Sequence, residues 1–182
     1  VHSYVNSTEG IRFGVMVFNA NGQGGRVTGP VSNDKHVAFG ALSDINTSNL
    51  VDWTPLSEAL YEAMLYFKGD ASYYNPGITY TSPIQYRCQK NYVIIITDGV
   101  PSYDVADPDA TYSHAPILAI GDVDQDGMES TSYGDPLLKG SHYLDDVAKY
   151  VHVNDLRTDL SGRQNITVYA IGFNPSQLAL DS

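Results

Sequence analysis

The chain has 182 residues, of which 42% are hydrophobic, and a formal net charge of −11 from 21 acidic and 10 basic side chains. That length suits one domain with a sizeable core. The acidic balance, with no basic stripe, argues against nucleic acid or an anionic membrane as partner and makes divalent cations the natural small ligands.

The first predicted element is a buried strand at residues 11–18, "IRFGVMVF", followed by the glycine-rich turn "NANGQGG" and a short edge strand from Arg26 to Val31. A helix is expected from Pro55 to Phe67. Leu56, Ala59, Leu60, Ala63, Met64 and Phe67 keep helical spacing, Thr54 stands at the N-cap and Pro55 at the first helical position. A tyrosine-rich connection covers 70–90. A strand from Tyr92 to Thr97, a helix from His142 to Leu156 and a last strand at 165–173 complete the order. Near-continuous apolar strands alternating with amphipathic helices predict an α/β domain with a mostly parallel sheet flanked by helices. No repeat or linker divides residues 1–182.

No apolar run reaches the length of a membrane span, and the N-terminus has no signal-peptide pattern. The expectation is a cytosolic chain or an internal piece of a longer secreted one. Cys88 stands alone and is expected as a half-buried free thiol, or as one half of a bridge to a partner outside these residues. Three sequons, at Asn6, Asn46 and Asn165, would matter only in a eukaryotic secreted protein.

Two constellations carry chemistry. In a parallel α/β unit, strand C-termini and helix N-termini share one rim, where ligands of open sheets bind. Asp98 ends a strand and Thr54 opens a helix, so both belong on that rim. Separately they read as a turn carboxylate and an ordinary N-cap. Together they can hold a hard cation such as Mg²⁺.

The second constellation is "GDVDQDGMES" at 121–130, inside an insertion covering about 99–141, far longer than an ordinary connection. Asp122, Asp124 and Asp126 are spaced by two and followed by Gly127, a pattern that wraps carboxylates around one Ca²⁺. The twelfth position of an EF-hand loop is here Tyr133, so the closing ligand must come from elsewhere: Glu129, Ser130, Asp135 or the Met128 carbonyl. The plain alternative is a solvated acidic turn. "ILAIGDVDQDG" also resembles the nucleophile motif of haloacid-dehalogenase-like phosphatases, but Asp126 stands where that motif wants Thr or Val. The five histidines lack metal-ligand spacing, and nothing singles out a serine or cysteine nucleophile. The expected class is therefore a binding module and not an enzyme.

"TPLSEAL" followed by "VIIITDGVPS" is similar to the second and third segments of the metal-ion-dependent adhesion site of von Willebrand factor A domains. Together with "GDVDQDGMES" and "YLDDVAKYVHVNDL…QNITVYAIGF", it resembles the A domain of PilY1-type proteins, tip adhesins and assembly factors of bacterial type IV pili. The resemblance runs from about 54 to 173. It implies a Rossmann-like sheet and an extracellular place at a pilus tip or on the outer membrane. It implies adhesion to a protein or surface ligand through a metal-bridged carboxylate, and support of pilus assembly with components such as minor pilins. Thr54 and Asp98 would hold the adhesion-site cation. The family's first metal motif, Asp-X-Ser-X-Ser, is absent from these residues, so the expected domain lacks its first, central strand and its last one.

Overall fold

The computed structural model describes residues 2–45, 53–97, 99–104, 112–128 and 139–173. Asp98, Glu129, Ser130, Tyr133, Asp135 and the sequon residue Asn46 lie outside them. The elements run α1 (His2–Ser7), β1 (Phe13–Phe18), β2 (Gly25–Ser32), α2 (Lys35–Ile45), α3 (Leu56–Lys68), β3 (Asn91–Thr97), α4 (Ala115–Leu118), α5 (Tyr143–Val153) and β4 (Ile166–Gly172). The fold is mixed α/β with a small parallel sheet. Every strand and both long helices read from the sequence are present within a few residues of their expected ends, while α1, α2 and α4 were not foreseen. Among the described residues no helix is long and apolar enough to cross a membrane.

Among the described residues the strands form two separate pairs and not one sheet. β1 and β2 pair antiparallel, with irregular register between Phe13 and Met16. A turn this short can only reverse the chain, which makes antiparallel pairing obligatory. β3 and β4 pair parallel in unbroken register from Asn91↔Ile166 to Thr97↔Gly172, with α5 in the crossover between them. This arrangement narrows the expected mostly parallel sheet to one two-stranded pair. The Arg12 guanidinium, just ahead of β1, donates to the Gln89 side chain and the Pro83 carbonyl at 2.7 Å each. It thereby ties the start of one strand pair to the approach to the other.

Helix α3 is the centre of the molecule. Its apolar stripe supplies Leu60 to one core cluster, with Ile117, Tyr143 and Val147, and Met64, Leu65, Tyr66 and Phe67 to another, with Ile84, Val151, Leu156 and Ile166. Val93, Ile95 and Val168 from the inner face of β3–β4 pack on these clusters. The helix ends at Gly69, whose φ of 81° only glycine adopts without strain. Its N–H bonds to the Tyr66 carbonyl, and the Asp70 N–H bonds to that of Leu65, which satisfies the last turn. Leu60 is 2% exposed, so Leu60→Ala is expected to cost about 3 kcal/mol through lost burial and an unfilled cavity. Urea unfolding checks it, and a loss below about 1 kcal/mol would mean the core closes up around the gap.

Candidate metal centre

Three carboxylates fold back on the loop at 122–128, Asp122 half-buried and Asp124 and Asp126 exposed. Asp122 accepts from the backbone N–H of Asp126 (3.1 Å) and Gly127 (3.2 Å), and Asp124 also accepts from Asp126 (3.1 Å). Asp126 in turn accepts from the Met128 N–H at 2.7 Å. These bonds bend the chain into a tight coil, which requires a positive φ at Gln125 (66°) and Gly127 (75°). The coil hangs from α4, whose Ile117 is fully buried against Tyr143 and Val147 of α5. Core packing of these three side chains thus sets the loop against the first turn of α5.

That turn supplies what the sequence left unassigned. Asp146, only 2% exposed, accepts from the N–H of Val123 at 2.6 Å and of Asp124 at 3.4 Å. Carboxylate oxygens of Asp122, Asp124 and Asp146 lie within 4.8 Å of one another, and so do those of Asp124, Asp126 and Asp145. Two oxygens on opposite sides of a Ca²⁺ at about 2.4 Å would be about that far apart. The oxygen-only donor set therefore fits a hard cation and suits neither thiolate- nor imidazole-loving metals. Burial pushes the Asp146 carboxyl above its ordinary value, its bonds from Val123 and Asp124 pull it back, and the Asp124 and Asp145 charges push it up again. Asp145 is raised as well, first by burial and further by Asp124 and Asp126. A bound cation would relieve both pressures at once.

The chain matches no protein-family model, no curated protein and no solved structure. Its site is therefore read from its own geometry.

Thr54 meets the loop that follows β3, although the strands ahead of α3 form a separate antiparallel pair. Its hydroxyl donates to the Val100 carbonyl at 2.6 Å and lies 3.0 Å from the Ser102 hydroxyl, which accepts from the Thr54 N–H at 2.9 Å. The expected N-cap role is corrected: Pro55 stands at the N-cap with no side-chain cap bond, and the Thr54 hydroxyl is turned to Val100. Asp104 caps the helix from the loop instead. It is fully buried and accepts from the N–H groups of Ser57 and Glu58 at 3.2 Å each, and from the hydroxyls of Ser57 (2.7 Å) and Ser141 (2.9 Å). Cys88 needs correction too: it is exposed, because it sits in a turn ahead of β3 closed by the Gln89 N–H on the Tyr86 carbonyl.

Two glutamates of α3 also escaped sequence reasoning. Glu58 and Glu62 are both fully buried. Glu58 accepts from the Gly24 N–H at 2.7 Å and lies 3.0 Å from His114 Nδ1. Glu62 accepts from the N–H groups of Tyr73 and Tyr74 and from the Tyr80 hydroxyl. Burial first, and then that bond, pushes the Tyr80 phenol up to about 12. Both carboxylates staple loops to the helix, Glu58 the glycine-rich turn and Glu62 the tyrosine-rich connection.

Proposed function

We propose that the chain is a calcium-stabilised, non-catalytic binding module of a cell-surface or pilus-tip protein. The observation that carries this reading is the arrival of Asp145 and Asp146 at the loop of Asp122, Asp124 and Asp126. Two close triads from two segments then share Asp124, and a calcium ion there would tie the insertion to α5. Asp122, Asp124 and Asp146 are assigned to that ion. Asp126 and Asp145 flank it, and Glu129 keeps the lesser role of an outer ligand. A second ion, Mg²⁺ or another divalent cation held at the rim by Thr54 and Asp98, would supply positive charge for a carboxylate of a protein or surface ligand. Pilus components such as minor pilins are the further partners of this reading.

The alternative is a structural assembly domain with a vestigial rim. It is favoured by one observation: the Thr54 hydroxyl already donates to Val100 and meets Ser102. Beads coated with the chain and washed over host cells separate the two. Adhesion module predicts retention in calcium and magnesium, loss in EDTA, and loss in Asp98→Ala even with calcium present. Retention by Asp98→Ala equal to wild type would leave only the structural role.

A further inference from the structure

We propose that a second copy of this chain covers the outer face of the β3–β4 sheet. Side chains alternate across a strand, so Val93, Ile95 and Val168 face the helices while Tyr92, Ile94, Ile96, Tyr169, Ile171 and Phe173 share the opposite face. All six are apolar or aromatic and lie between 46% and 70% exposed. Register places Ile94 beside Tyr169 and Ile96 beside Ile171, and the Tyr92 and Tyr169 rings stack at 6.3 Å. The result is one continuous patch and not scattered residues.

Parallel sheets are normally covered on both faces. The exposed area of these six side chains is on the order of 600 Å², the upper end for a monomer's largest apolar patch. Two copies face to face would bury on the order of 1,200 Å², the lower bound of stable interfaces. None of the six is charged, so two copies can meet across a two-fold axis without burying charge in the patch, with the sheets about 10 Å apart. The net charge of −11 per copy opposes association at long range, so the dimer should tighten as salt is added.

Sedimentation velocity of the whole chain, from about 1 to about 100 µM, should show a reversible monomer–dimer equilibrium. Ile94→Lys and Ile171→Lys should each weaken it at least tenfold, although both lower the net negative charge. Ile78→Lys, in the connection stapled to α3, should leave it unchanged. Far-UV circular dichroism shows which variants fold. Hydroxyl-radical footprinting of the unmutated chain needs no variant: oxidation of Tyr92, Tyr169 and Phe173 should fall with concentration while that of Ile78 stays constant. A monomer at every concentration, a dimer indifferent to folded lysine variants, or a footprint that does not change overturns the proposal.

Discussion

Chelating calcium with EGTA is expected to lower the melting temperature by about 5–10 °C, a shift that follows if the ion is present near a hundredfold excess over its dissociation constant. The effect should be largest, and change sign, at Asp124, because its carboxylate belongs to both close triads. With calcium, Asp124→Asn removes a ligand and should melt below wild type. In EGTA the same substitution removes one of several crowded negative charges and should melt above it. Asp146→Asn keeps the oxygen that accepts from Val123 and Asp124 but loses the charge, so it should bind calcium at least tenfold more weakly with the loop still folded. Acid should weaken the site, since burial and neighbouring carboxylates raise Asp145 and Asp146, and protons then compete with the ion. Differential scanning calorimetry in calcium, magnesium and EGTA reads all of this. Identical melting in calcium and EGTA would sink the metal centre.

Asp104→Ala should be the most damaging single substitution, costing about 3–5 kcal/mol, because it strands two backbone donors at the start of α3 and two buried hydroxyls. Asp104→Asn retains part of that bonding and isolates the charge. Burial first, and then the Glu58 carboxylate, raises Asp104 from 3.8 to about 6 against the pull of its hydrogen bonds from Ser57 and Ser141. The folded state therefore binds this proton more tightly than the unfolded one. Its contribution to stability is complete below about pH 4 and is lost as pH rises through about 6. The shift is roughly two units, or about 3 kcal/mol. Relative to Asp104→Asn, wild type should lose about that much between pH 4 and pH 7 in urea titrations. A constant difference across that range would show that Asp104 does not titrate there.

The four strands and the helices α3 and α5 were legible because hydrophobic periodicity is a local signal, whereas α1, α2 and α4 were not. The aspartates at 122, 124 and 126 were legible for the same reason: a coil that folds three carboxylates inward needs only seven consecutive residues. Asp145 and Asp146 were not. Acids in the first turn of a helix are favourable there whatever they face, and nothing local says that Ile117 and Val147 will bring that turn to the loop. Asp104, Glu58 and Glu62 were hidden likewise, since a carboxylate is assumed to be solvated until its distant donors are known. Thr54 shows the converse, a strong local capping signal overruled by a longer-range bond to Val100.

By itself, then, the sequence determined the four strands, α3, α5 and the acidic coil, because each rests on contacts between near neighbours. Only the tertiary structure decided which distant carboxylates join that coil, which are buried as staples, and that Tyr92, Ile94, Ile96, Tyr169, Ile171 and Phe173 are exposed together on one face of the parallel pair. Those depend on how α3 and α5 pack, and packing places side chains far apart in the chain within a few ångströms of each other by shape and burial, for which no short stretch of residues carries a signature.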